Sequence, residues 1–223
     1  MKRRMAAGLA TGILMLGTAF SANATIIDFT GGTAFFVGGG TAVTDNINTW
    51  FDVDYYEEGG FRLDFIGGGG YVGNYYGGNN DVIHGHWGTG DYGTLTEIRV
   101  TKIDGTNFDL NYFELTSNTE IGGGAATGNE QAFINSSNGT SVLLPPDDWG
   151  WSGPNPQIFL DSNFDNIAWF SFTVANAVDC FGMDMFYIDE PPPPGNVPEP
   201  ATMILFATGL AGFAGFKSRK KTA

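Results

Sequence analysis

Two histidines separated by one glycine, His84-Gly85-His86, are the side chains in this 223-residue sequence best suited to holding a metal. On a strand, positions i and i+2 share a face, so both imidazoles would point one way and could bind Zn²⁺ with Asp81 as a third ligand. There is no further histidine, and the single cysteine, Cys180, is distant in sequence. The plainer reading is an exposed polar strand face beside Trp87, and it is the favoured one. Neither histidine has a convincing nucleophile partner, so a histidine-based hydrolase is unsupported. Cys180, between Val178 and Phe181, suits a small buried apolar role better than a reactive thiol. One cysteine also excludes an intramolecular disulfide, so the core must hold the fold.

Other residues could act on sugars. Trp149 and Trp151, in Pro145-Pro146-Asp147-Asp148-Trp149-Gly150-Trp151, could stack on sugar faces while the adjacent carboxylates bind hydroxyls. Tyr55, Tyr56, Tyr75 and Tyr76 could do the same. The commoner use of such aromatics is to pin a loop onto the fold. Glu57, Glu58, Glu114 and Glu120 offer carboxylates for glycoside hydrolysis, which needs a pair about 5 Å or about 7–9 Å apart. Nothing in the sequence sets that spacing, and the chain is expected not to be an enzyme.

The elements that must position these groups read as strands. Phe61-Arg62-Leu63-Asp64-Phe65 alternates apolar and charged residues, as does Glu97-Ile98-Arg99-Val100. Phe108, Leu110 and Tyr112 share one parity, and Phe113 and Leu115 take the other, which predicts a β-bulge near Tyr112. Residues 166–174 carry Trp169, Phe170 and Phe172 on both faces and read as a central strand. Residues 184–189 read as the last strand. Gly67 to Gly70, Gly77-Gly78-Asn79-Asn80 and Gly122 to Gly124 supply turns. The 34 glycines and 19 phenylalanines suit short strands joined by tight turns. The expected fold class is all-β: a two-layer antiparallel β-sandwich of jelly-roll-like type spanning residues 25–190.

Charge is sorted along the chain. The 24 acidic residues all lie between Asp28 and Glu199, where only Arg62, Arg99 and Lys102 oppose them. Such a body repels phosphate backbones, which excludes nucleic acid as a partner. The other basic residues sit near the two ends. Lys2-Arg3-Arg4, an apolar run from Met5 to Phe20, and Ala22-Asn23-Ala24 form a signal peptide over residues 1–24, with cleavage expected between Ala24 and Thr25. Towards the other end, a Pro/Gly linker at 191–196 precedes Val197-Pro198-Glu199-Pro200. An apolar stretch, Ala201 to Phe216, and the basic cluster Lys217 to Lys221 follow. The stretch would make about 24 Å of helix against an apolar bilayer core of about 30 Å, and lysine and arginine stems can extend its reach. The basic cluster should stay on the cytoplasmic side and leave the body outside.

The order Pro-Glu-Pro, short apolar helix, basic tail over residues 197–223 resembles the PEP-CTERM sorting signal of Gram-negative bacteria. That resemblance implies an exosortase-like membrane transpeptidase as partner, which reads Pro198, Glu199 and Pro200 and removes or exchanges the helix. It also implies transient anchoring in the inner membrane, passage through the periplasmic side, and a final place at the cell surface or in an extracellular matrix. A setting of exopolysaccharide or biofilm production goes with it, with a structural or adhesive role for the body. A carbohydrate-binding module that tethers polysaccharide is one alternative; a secreted glycan-acting enzyme is a weaker one. The run from Phe181-Gly182-Met183-Asp184 to Asp189 resembles the closing strands of jelly-roll domains on PEP-CTERM proteins. Such domains often hold a structural Ca²⁺ between a first-strand and a last-strand carboxylate. Asp28 and Asp184 are the matching positions, with the alternative that each caps a turn or faces solvent.

Overall fold

The computed structural model describes residues 24–74, 81–88, 93–120, 124–148, 154–176 and 178–191. The chain divides into two compact units at Pro191/Pro192, and every described strand belongs to the first. Both the expected signal peptide, as far as residue 23, and the sorting tail, including residues 201–216, lie outside the described residues. Among the described residues no helix is long and apolar enough to cross a membrane.

The body is all-β and antiparallel. Its strands are β1 (Thr25–Ile27), β2 (Thr33–Phe36), β3 (Thr41–Val43), β4 (Thr49–Glu58), β5 (Phe61–Ile66), β6 (Gly70–Asn74) and β7 (Asp81–His86). There follow β8 (Glu97–Lys102), β9 (Leu110–Thr119), β10 (Gln131–Ser136), β11 (Ser141–Leu143), β12 (Gln157–Phe159), β13 (Trp169–Asn176) and β14 (Cys180–Ile188). They join in the order β11-β10-β13-β8-β5-β4-β6-β7-β14-β9-β12, with β1 on β14, β2 on β4 and β3 on β2.

The alternating runs behave as their side chains require. In β5, Phe61, Leu63 and Phe65 are buried, while Arg62 and Asp64 face outward. Arg62 donates from Nε to Asp64 Oδ1 at 2.7 Å and lays its guanidinium 3.8 Å from the centre of the Tyr55 ring. In β8, Ile98 and Val100 are buried, and Arg99 pairs with Glu97 at 2.9 Å. These exposed pairs contribute little stability and mainly keep the outer face wet.

Strand β4 is where the sheet divides. Residues Val53 to Glu57 pair with β2, and Tyr55 to Glu58 pair with β5, so β2 and β5 occupy opposite edges. Val53 also pairs with Gly70, and Thr49 with Gly73, which places β6 on the same edge as β5 but further along. The glycines at 67–69 make the step between them, and Gly67 adopts a φ of +94° that a side chain would resist. From there β5 leads to β8 and β6 leads to β7.

Five strands separate β13 from β14 along the path, yet their rings touch. Phe172 meets Phe113 at 5.3 Å and Phe181 at 5.5 Å between ring centres, and Phe170 meets Phe186 at 5.4 Å. The sheet must therefore curl until its halves lie face to face, in a sandwich-like arrangement with one aromatic core. All five rings are fully buried and mostly edge-to-face, the geometry that ring quadrupoles prefer.

Three expectations are sharpened. The bulge near Tyr112 is present: the β9–β14 register shifts on both sides of the Tyr112–Tyr187 pair. One extra residue lies on β14, where Met185 has a φ of 53°, and the next lies on β9 at Asn111. The strand expected at 166–174 starts at Trp169, because Asn166 turns left-handed at a φ of 51° and its N–H donates to Asp109 Oδ1 at 2.7 Å. The last strand starts at Cys180, before the expected 184, since Gly182 continues the ladder opposite His84 and Ser117.

Candidate metal centre

Strand β7 sends two sets of side chains in opposite directions. Ile83 and Trp87 are in the core, and a Cβ on Gly85 would overlap the Leu95 side chain that packs there. His84 and His86 take the other face, where Tyr71 of β6 stacks on His84 at 5.8 Å and meets His86 edge-on at 5.2 Å. The two imidazoles stand 5.0 Å apart, nearly perpendicular. The expectation of an exposed face is corrected: His84 is fully buried and His86 is half-buried. Burial, and then the neighbouring His86, hold His84 well below the ordinary imidazole range, so it is neutral.

The acid and the thiol beside His86 come from the start of the neighbouring strand. Asp81 opens β7 opposite Asn74, at the far end from His86. Cys180 lies directly across from His86, with Thr119 of β9 on its other side. Asp179 is fixed from both sides, its N–H donating to the Thr119 carbonyl at 3.0 Å and its carbonyl accepting from the Trp87 N–H at 3.2 Å. Its carboxylate is buried. His86 Nδ1 is 3.3 Å from Asp179 Oδ1 and 3.5 Å from Cys180 Sγ. Cys180 Sγ is 3.6 Å from Asp179 Oδ2. One donor atom from each of the three lies within 4.8 Å of the others, and among the described residues this is the single such group. Burial, reinforced by Asp179, pushes the Cys180 thiol up, so it stays protonated in this state.

The arrangement does not suit nucleophilic catalysis. A Cys–His–Asp relay needs the thiol on one imidazole nitrogen and the carboxylate on the other. Here both crowd the same atom, Nδ1. The sequence gives no short-range sign of this cluster, because 94 residues separate His86 from Cys180. The usable hint was the pairing of His-x-His on one strand with Asp-Cys leading into another.

The other candidates fall elsewhere. Trp149, Trp151, Tyr75, Tyr76 and the sorting residues Pro198, Glu199 and Pro200 lie outside the described residues. Ala24 is exposed and Thr25 opens β1. Tyr55 stacks on Phe35 at 4.2 Å, and Tyr56 is buried. Asp28 is exposed and closes a turn, its Oδ1 accepting the Thr30 N–H at 3.1 Å. Asp184, half-buried, accepts the Met185 N–H at 2.6 Å and stands opposite Glu114 in β9. The described residues bring no three-ligand group together at Asp28 or Asp184.

The acids considered for glycoside chemistry serve local structure. Glu57 stands opposite Arg62 in the β4–β5 ladder. Glu114 accepts the Tyr112 hydroxyl at 2.7 Å, and Glu120 accepts the Thr127 hydroxyl at 3.0 Å. Glu58 accepts the Phe29 N–H at 3.0 Å and the Tyr56 hydroxyl at 2.9 Å, tying the segment after β1 to β4. Burial pushes Glu58 up to about 7 despite those donors, and burial together with Asp148 pushes Asp147 up to about 7. Both acids hold protons in the folded state that the unfolded chain gives up. Their contribution is therefore greatest below the unfolded carboxylate range and lost as pH rises towards 7. Thermal unfolding should show a higher Tm at pH 5 than at pH 8. Glu58→Gln should flatten that slope, with Glu58 accounting for about 2 kcal/mol of it. A Tm that rises from pH 5 to pH 8 would contradict the assignment.

Comparison with known proteins finds one likeness. Residues 196–220 match the model of the PEP-CTERM protein-sorting motif. No curated protein and no solved structure matches the chain. Such a motif marks export in bacteria and delivery to the cell surface or beyond it, with processing by an exosortase. The chain is thus a secreted, exosortase-targeted protein that carries a PEP-CTERM sorting motif after an all-β body.

Proposed function

We propose that this is a non-catalytic structural or adhesive protein of the outer surface or extracellular matrix of a Gram-negative bacterium, in a setting of exopolysaccharide or biofilm. In this reading residues 1–24 direct export and are cut between Ala24 and Thr25. The curled sheet is a jelly-roll-like sandwich and forms the working body. Residues 201–216 hold it in the inner membrane as a helix until an exosortase-like transpeptidase acts at Pro198-Glu199-Pro200. The two prolines keep the backbone extended for a protease groove, and Glu199 adds a charge for recognition. The sorting motif at residues 196–220 is the observation that carries the proposal. The acidic exterior and the absorption of the candidate glutamates into local hydrogen bonds support the non-catalytic part.

Mass spectrometry of the protein recovered from the surface or medium tests the route. Loss of the segment from about Pro198 onward is the expected result, and Glu199→Ala should leave the chain membrane-bound and uncut. An intact Ala223 on surface-exposed protein would refute sorting.

A further inference from the structure

We propose that His86, Asp179 and Cys180 form a Zn²⁺-binding site on the face of the sheet away from the aromatic core. A tetrahedral centre with bonds of about 2.0–2.1 Å to nitrogen and oxygen and about 2.3 Å to sulfur has ligand-to-ligand edges of roughly 3.3–3.6 Å. The imidazole stands 3.3 Å from the carboxylate oxygen Oδ1 and 3.5 Å from the thiol, which matches two of these edges. The thiol's 3.6 Å contact is to the other oxygen, Oδ2, and one donor atom from each residue lies within 4.8 Å of the others, so a rotation of the Asp179 carboxylate closes the third edge.

Thiolate, imidazole and carboxylate together suit a borderline-soft ion such as Zn²⁺, whereas Ca²⁺ and Mg²⁺ demand oxygen shells. Cys180 and His86 are locked by the β7–β14 register, Asp179 is held through its N–H and its carbonyl, and Tyr71 and His84 pack against the His86 ring. Zinc sites depend on such outer contacts to orient their ligands. On binding, the Cys180 proton leaves to solvent, the Sγ lone pair goes to the metal, and no redox change occurs. Water takes the fourth position of the tetrahedron.

The test uses the untagged full-length chain, purified in detergent, stripped with a chelator and dialysed against Zn²⁺ or Co²⁺. One zinc per chain by elemental analysis is expected, as is a thiolate-to-cobalt charge-transfer band. Because the sequence holds a single cysteine, any such band reports Cys180. Cys180→Ser, nearly isosteric, should abolish the band and weaken zinc binding by more than about 100-fold, beyond the loss seen when a supporting contact is removed. His86→Gln should weaken binding comparably while far-UV circular dichroism stays unchanged. Substoichiometric zinc, a cobalt spectrum without a sulfur band, or undiminished zinc binding in Cys180→Ser would each overturn the proposal. Calcium competing equally with zinc would overturn the choice of ion.

Discussion

Truncating Phe172 to alanine should destabilise the body by about 3–5 kcal/mol. For a domain of this size that lowers Tm by roughly 10–15 °C. The ring lies on the seam of the curled sheet, touching Phe113, Phe170, Phe181 and Phe186. Its removal leaves a cavity between layers whose separation is set by the other rings, so the site cannot collapse easily. Phe159→Ala is the control. It is 42% exposed on β12, which follows β9 at the end of the strand path, and should cost less than about 1 kcal/mol. Equal losses in the two variants, by thermal or urea unfolding, would mean that the faces are not packed as described.

The second large effect concerns Gly70. A Cβ at this position would overlap the Phe65 ring, which covers the glycine where β6 begins. The ring fills the place of the missing side chain, a device known from glycines in designed sheets. Gly70→Ala should therefore cost about 2–3 kcal/mol by overpacking. Combining it with Phe65→Leu should cost less than the sum of the two single changes, because the residues share one space. Strict additivity would show that the glycine is required for another reason.

These two sites also show what could be read from the chain. The seam was half legible: Phe170 and Phe172 stood out as a strand covered on both sides, and Phe61, Leu63 and Phe65 as one buried face. Local alternation records which side chains turn inward, because a strand's period is fixed by its backbone. It does not record which strand lies opposite. The register that places Cys180 beside His86 is decided by the β7–β14 ladder, and no periodicity carries it. The histidine pair is visible in the sequence, whereas the acid and thiol beside His86 lie at the start of the adjoining strand and not near Asp81, five residues away. Asp28 takes the turn-closing, solvent-facing place that the sequence also offers for it, because β1 ends at Ile27 and its carboxylate accepts the Thr30 N–H. The sorting tail was legible outright because it is read as a linear signal.

The place of β14 has a consequence for the order of events during export. It is the last of the described strands, yet it pairs with β7, β9 and β1, and Ile188 stands opposite Thr25. A chain threaded outward from its N-terminal side cannot close this sheet until Ile188 has cleared the membrane. Until then β1 lacks the strand it pairs with, and the Phe181 and Phe186 rings are missing from the core. On the proposed membrane topology, completion of the fold is thus tied to the moment when the chain has been exported as far as Asp189. The same arrangement that centres the last strand makes folding a report that translocation of the body is finished.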